Sequence, residues 1–267
     1  MLSRVDRPLK RGRELVGRPA RPRVEEGSER RRNPPQRRGR EPLAEDALDE
    51  TVRDLNGARL RPLTERYAKP VLPVGGVPVL ASLLRELAAA GCPRVTIVVG
   101  HLGAQLERLA GDGSGFGLDV RYARQAAPDG SLDAVLAADP EAPYLVLGAD
   151  VVFSPGDVGR FAAAFAASGA AGAIAVRPRP GPVLVREGRV ERLKAEGVSA
   201  APLWAVGAGI ARFVDARPGS PPYELATAFQ GAIEEGAHVA AIDIGPTRDL
   251  TTPLDLLAQN FPYLGAL

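Results

Sequence analysis

Between Ala58 and Leu80 the chain reads ARLRPLTERYAKPVLPVGGVPVL, and within it Arg59, Arg61, Arg66 and Lys69 crowd into one short stretch. Pro70 and Pro73 keep the segment out of a regular helix or a central strand. Cations held on a stiff loop suit a polyphosphate, although by themselves they read slightly better as a solvated basic loop. A second candidate is Asp150, directly after the apolar run YLVLGA. In open α/β sheets ligands bind beyond the carboxyl ends of the strands. A carboxylate there can hold Mg²⁺, a hard cation that bridges substrate phosphates, or simply cap the next helix. His101 and His238 have no partners at ligand spacing, and the single cysteine, Cys92, excludes an internal disulfide and a C-x-x-C metal or redox site.

The elements that must position these residues alternate in type. VLASLLRELAAAGC has helical spacing and closes on Gly91, RVTIVVG is a β-branched run, LGAQLERLA is helical, LDVRYAR is a strand, SLDAVLAA is helical and PYLVLGAD is an apolar strand. A helix near 156–168, a strand AGAIAV, a hairpin turning at Glu187-Gly188, a strand near LWAVGAGI, a helix YELATAFQGAIEEG, a strand VAAIDI and a helix PLDLLAQN come after them. This predicts an α/β fold, a Rossmann-like, mostly parallel sheet with helices on both faces.

Charge divides the chain. Of 34 Lys/Arg and 32 Asp/Glu, residues 1–40 hold 14 and 5, leaving 20 and 27 in residues 41–267, so a basic arm precedes an acidic body. Residues 1–42 have no aromatic residue and scattered Pro and Gly, a composition that predicts disorder. Such an arm can reach phosphates, but no stacking aromatics or RNA-binding motif accompany it, which argues against nucleic acid as a partner. In residues 43–55, Ala44, Ala47, Leu48, Val52 and Leu55 fall at spacings of three and four among acidic residues, predicting a short acidic helix. No apolar run reaches the roughly 20 residues that span a bilayer, and no secretory signal pattern is visible. A soluble, cytoplasmic protein with no membrane partner is expected.

Four segments, in order, carry a resemblance. GARLRPLTERYAKPVLPVGGVPVL resembles the signature loop of the sugar-1-phosphate nucleotidyltransferases, G-T-R-L-x-P-L-T followed by K-P-x-L-P-V-x-G-x-P-x-L. QAAPDGSLDAV, Gln125 to Val135, is similar to the Q-x-x-P-x-G-x-x-x-A segment of the glucose-1-phosphate thymidylyltransferase branch. YLVLGADVVF is similar to the strand that ends in that family's metal-binding aspartate, and DLTTPLDLLAQN to its D-V-x-x-P-x-D-L-L-x-A-N ending. The resemblance implies a nucleotide-diphospho-sugar transferase fold over residues 56–267. It implies transfer of a nucleotidyl group from UTP or dTTP to a sugar-1-phosphate, with Mg²⁺ as cofactor and pyrophosphate released. By the same resemblance Arg59 and Lys69 are catalytic, contacting phosphates. Gly57 belongs to the nucleotide-binding turn, Gln125 reads the base and Gly130 admits it. Asp150 and Asp249 share the metal, with Asp243 as rival for the second position, and Lys194 is a weak candidate for the sugar phosphate. The oligomeric state is not readable, and a homo-oligomer is compatible with the sequence.

The chain also departs from the pattern. The family's loop comes directly after a buried first strand ending A-A-G-x-G, whereas here TVRDLNG stands in its place with only Gly57 kept. Two explanations compete: the first 55 or so residues derive from a shifted or upstream reading frame, or the chain is a catalytically impaired homologue that still binds nucleotide or sugar phosphate.

Overall fold

A computed structural model describes the backbone of residues 49–53 and residues 60–127, 129–250 and 252–261 in full. The basic arm, Gly57 and Arg59 lie outside the described residues. Seven strands form the main sheet among those described: β1 Asp49–Arg53, β2 Arg94–Val99, β3 Asp119–Arg124, β4 Tyr144–Gly148, β5 Gly172–Arg186, β6 Arg189–Val206 and β7 Val239–Asp243, in the order β7-β5-β6-β4-β1-β2-β3. Only β6 runs against its neighbours, pairing antiparallel to β4 and β5. The β1–β2, β1–β4, β2–β3 and β5–β7 ladders are parallel, as the alternation of strands and helices predicts.

Helices cover both faces because the central strand is apolar on both. In β4 every residue is buried; Leu145 and Leu147 join one core cluster and Tyr144 and Val146 the other. The first cluster takes in helices α1 Val79–Ala89, α2 Gly103–Ala110 and α4 Asp157–Ser168, and the second takes in α3 Ser131–Ala138, α5 Ala208–Asp215 and α6 Leu225–Glu234. A last helix, α7 Pro253–Asn260, starts with a capping box between Thr252 and Asp255. Among the described residues, no helix is long and apolar enough to cross a membrane.

Two expectations need correction. The acidic helix expected over 43–55 is not formed in its described part: Asp49–Arg53 is a strand, paired with β4 from Asp49↔Tyr144 to Arg53↔Gly148 and with β2 from Thr51↔Thr96 to Arg53↔Val98. A helix so short is marginal by itself, whereas the facing edges of β2 and β4 offer backbone groups that must be paired. Neighbouring strands therefore outweigh the segment's own periodicity. The segment LWAVGAGI does not continue as a strand either. After Val206 the chain turns into α5, whose Ile210 and Val214, four residues apart, are buried against the second cluster. The hairpin at Glu187-Gly188 forms as expected, with φ of 48° and 72°, the pair of positive values that a two-residue turn of the primed type requires.

Candidate active site

The strand order reverses between β1 and β4: from β3 the chain crosses back over β1 to enter β4 on its other side. The carboxyl ends of these two strands therefore flank the crevice where an open α/β sheet takes its ligand. The turn after β4, carrying Asp150, issues there.

Lys69 begins a 3-10 turn, Lys69–Val71, that Pro70 helps to set. The approach to it is clamped from α2: Gln105 accepts a hydrogen bond from Ala68 N (2.9 Å) through Oε1 and donates from Nε2 to Arg66 O (2.7 Å). Lys69 so placed is 7% exposed, and its ammonium donates to Asp150 Oδ2, on a residue only 6% exposed. Burial of either charge alone would cost several kcal/mol, so each stabilises the other in place. The second oxygen, Asp150 Oδ1, is buried with no hydrogen-bond partner.

Asp249 lies beside this pair. Arg248–Asp249 ladders antiparallel to Val151–Val152, with Asp249 opposite Val151, and Leu250 N donates to Asp150 O (3.2 Å). Gln259 of α7 donates to Asp249 O at 3.0 Å. Asp243, the rival, ends β7 with an exposed side chain, its backbone opposite Val176. Each of the two carboxylates is matched by positive charge. Lys69 takes the first, while Arg177 (3.2 Å), Arg179 (3.7 Å) and the Thr247 hydroxyl (3.0 Å) engage the second. Arg177, 7% exposed, also donates to Ser199 Oγ (3.1 Å) and is fixed by Thr247. Sequence reading passed over Arg177, yet it stands right after the apolar run AGAIAV, just as Asp150 stands right after YLVLGA.

Gln125 directly succeeds β3, its N–H donating to Val99 O (3.0 Å), and its side chain is turned onto Asp133 and Gly130 O. Gly130 has φ of 108°, and a Cβ there would meet Tyr223 O at 2.1 Å. The close approach that this glycine serves is to the Tyr223 backbone, where a base had been expected. Lys194 is exposed, with φ of 56°, in a bulge: Leu193 and Val198 both lie opposite Val183, and residues 194–196 between Leu193 and the paired Gly197 have no partner in the register. None of the described contacts joins Lys194 to the Asp150–Asp249 pair.

A cavity of about 210 Å³ lies against the paired strands β4 and β6 at the starts of α3 and α6, lined by Ser131, Gly148, Pro202, Trp204 and Glu224. A Cβ on Gly148, one of the lining residues, would lie 3.1 Å from Asp150 Oδ1 and 3.0 Å from Pro202 Cβ, so a side chain there would crowd both. A larger hollow of about 340 Å³, lined by Arg94, Arg121 and Asp139, lies at the amino ends of β2 and β3, the wrong end of the sheet for the ligand of such a fold. Among the described residues no group of three or more His, Cys, Asp or Glu gathers to hold a metal. Asp150 Oδ1 fits as one ligand to a divalent ion, whereas both oxygens of Asp249 are engaged by Arg177, Arg179 and Thr247.

Residues 56–182, just under half of the chain, match the family model described as Nucleotidyl transferase, a likeness that supports the sugar-1-phosphate nucleotidyltransferase family. Among curated relatives, a glucose-1-phosphate thymidylyltransferase of Streptomyces antibioticus is 43% identical over 83 residues, 31% of this chain and 23% of the relative. A CMP-5'-(3-aminopropyl)phosphonate synthase of Streptomyces rubellomurinus is 37% identical over 132 residues, 48% of this chain and 21% of the relative. An N-acetylmuramate alpha-1-phosphate uridylyltransferase of Neisseria meningitidis is 35% identical over 100 residues, 36% of this chain and 43% of the relative. The chain thus spans less than half the length of each. Among solved structures, a UDP-glucose pyrophosphorylase complexed with UDP-glucose superposes with a TM-score of 0.69 at 15% identity, over 82% of this chain and 100% of the other. The enzyme of that name from Acinetobacter baumanii gives 0.66 at 19% identity, over 80% and 92%. At such identities the likeness is one of fold.

Proposed function

We propose that the chain transfers a nucleotidyl group from UTP or dTTP to a sugar-1-phosphate. The observation that carries this reading is the buried Lys69–Asp150 pair at the reversal of strand order, with Asp150 Oδ1 unpartnered beside the cavity at Gly148. In the reaction a phosphate oxygen of the sugar-1-phosphate attacks the α-phosphorus of the triphosphate, the bond to the β-phosphate oxygen breaks, and pyrophosphate leaves. Positioning and charge neutralisation supply most of the acceleration in such a transfer. Mg²⁺ bound at Asp150 would neutralise triphosphate charge there. Lys69 then serves the phosphates rather than Asp150, and Arg177 and Arg179 bring further positive charge to the same edge. Arg59 is proposed to join them from the loop after β1. A role for Asp249 as a second metal ligand requires Arg177 and Arg179 to turn away from it. Gly57 remains proposed for the nucleotide turn and Lys194, in its bulge, for the sugar phosphate.

A second reading is favoured by two observations. The strand between β2 and β4 carries DETVR where an apolar run is usual, and both carboxylates of the site already hold cations. On this reading the chain binds nucleotide or sugar phosphate without turnover. The test is to incubate the purified chain and Mg²⁺ with UTP, dTTP, GTP or CTP and a panel of sugar-1-phosphates while monitoring pyrophosphate. Release that needs both substrates supports the transferase; nucleotide binding with no release in any combination supports the second reading.

A further inference from the structure

Gln125 is held in a way that decides what it can offer a ligand. A primary amide has two N–H donors and one carbonyl acceptor. Here Nε2 donates to Asp133 Oδ2 at 3.1 Å and to Gly130 O at 3.2 Å, so both donors are spent inside the protein. Turning the amide over would set Oε1 against a carboxylate and a carbonyl, two acceptors facing a third, and would leave them unpaired. The orientation is therefore fixed by chemistry, and only Oε1 remains to meet a ligand.

Asp133, in the first turn of α3, is itself fixed. Arg217 pairs with its other oxygen, Oδ1, and the guanidinium of Arg217 lies 4.1 Å over the Tyr223 ring. Tyr223 N donates to Asp129 O (2.6 Å) and Leu132 N to Tyr223 O (2.9 Å), so ring, guanidinium, carboxylate and amide form one chain of contacts around Gly130. Arg217 is a donor only, which keeps Asp133 an acceptor toward Gln125.

We infer that Asp133, held by Arg217, is a positioning residue that fixes the Gln125 amide as a hydrogen-bond acceptor and so selects a nucleobase that presents a ring N–H. Uracil and thymine at N3 and guanine at N1 carry that hydrogen; cytosine at N3 and adenine at N1 carry a lone pair that would face Oε1. The inference deepens the proposed transferase reading and rests on it.

The experiment is calorimetric titration of the full chain with UTP, dTTP, GTP, CTP and ATP in Mg²⁺, without sugar phosphate, for the native sequence and for Asp133→Asn and Arg217→Met. The native chain is expected to bind at least one of UTP, dTTP and GTP about tenfold or more tighter than CTP and ATP. In Asp133→Asn the amide oxygen goes to Arg217 and its NH₂ faces Gln125, removing the lock, so the ratio of UTP to CTP affinity should fall toward one. Arg217→Met, at a half-exposed side chain, should move the ratio the same way by less and serves if the first variant does not fold. A purely structural role of Asp133 would weaken all five nucleotides alike and leave the ratio unchanged, and that result overturns the inference, as does native affinity for CTP or ATP equal to that for the tightest of UTP, dTTP and GTP. CTP is the decisive arm, since one relative is named for a CMP product. Binding without base preference sinks the inference and spares the transferase reading; no binding of any of the five sinks both.

Discussion

β1 and β4 lie side by side in register, five residues against five, and their sequences differ as much as two strands can: DETVR against YLVLG. The first has one aliphatic residue, Val52, while the second is buried throughout and feeds both core clusters. A strand can therefore be specified by its own side chains, as β4 is, or by the unpaired edges on either side, as β1 is. The site inherits this asymmetry. The turn after β4 is anchored by burial, by the Asp150–Lys69 pair and by the ladder to Arg248–Asp249. The segment after β1 has only a single glycine where the family's turn has several.

The largest expected effect is on the anchored side. Asp150→Asn should cost roughly 10²–10³-fold in turnover, as loss of one charge-stabilising group does. It should also destabilise the fold by about 3–5 kcal/mol, because Lys69 is left buried without its counter-charge. Asp249→Asn should be milder for stability, since Asp249 is more exposed than Asp150 and Arg177 keeps Ser199 and Thr247. Steady-state kinetics across a Mg²⁺ titration with urea unfolding measures both; an Asp150→Asn chain as stable as the native one would show that the Lys69 pair does not anchor this edge.

Next come the strands themselves. Leu147→Ala in β4 should cost about 2–5 kcal/mol by loss of buried surface and creation of a cavity. Val52→Ala in β1 should cost clearly less if pairing alone places that strand. Conversely, replacing Asp49, Glu50 and Arg53 together by Val, Ile and Val should raise stability, by up to about 1 kcal/mol per residue, and raise turnover where the impaired reading holds. A fall in melting temperature would break the comparison, because charged residues at those positions would then be making contacts that the pairing does not explain.

Legibility in the sequence divides along the same line. β2 to β4, α1 to α4 and the hairpin at Glu187-Gly188 carry their own periodicity or turn chemistry, and their positions could be read directly. β1 could not, because the information that places it lies in β2 and β4. α5 was hidden by the glycines of GAGI, which look like the end of a strand. Asp150 and Asp249 were linked only by the resemblance, which put both in one site; no local pattern connects residues so far apart in the chain. The partners that neutralise them were not legible, since Lys69 and Arg177 meet them only across the fold. Arg177 was within reach of the rule that found Asp150, the first charge after an apolar strand, and Lys194 was displaced by a bulge that no local pattern announces.

A smaller effect sharpens the loop after β1. Gln105→Ala removes both hydrogen bonds that hold Arg66 and Ala68, at about 0.5–1.5 kcal/mol each. Lys69 should then be less well placed, raising KM for the triphosphate several-fold while kcat changes little. Unchanged KM would mean that burial at Asp150, rather than the clamp from α2, positions the lysine.

The smallest effect reads β3, at the sheet edge beyond β2, on the far side of β1 from β4. Burial raises the Tyr122 phenol to about 12, with the charges of Glu107 and Asp112 adding to it, and its hydroxyl donates to Gly111 O at 2.5 Å. Because the folded value lies above the roughly 10 of an unfolded chain, the folded state binds this proton more tightly. The stabilisation is complete below about pH 10 and is lost as pH rises toward 12. Alkaline unfolding should show that slope in the native chain and a flatter one in Tyr122→Phe, which loses the hydrogen bond at all pH values. The same phenol reports on β1. If β1 were to part from β2, the β2–β3 edge would loosen with it, and the ultraviolet titration midpoint of Tyr122 would fall toward 10 while the core around β4 stayed folded. A midpoint that stays near 12 when the three apolar replacements are introduced into β1, together with a raised melting temperature, would show that β1 already holds β2 and β3 in place in the native chain. A midpoint that rises only after those replacements would show that pairing without apolar side chains had left this edge of the sheet loosely held.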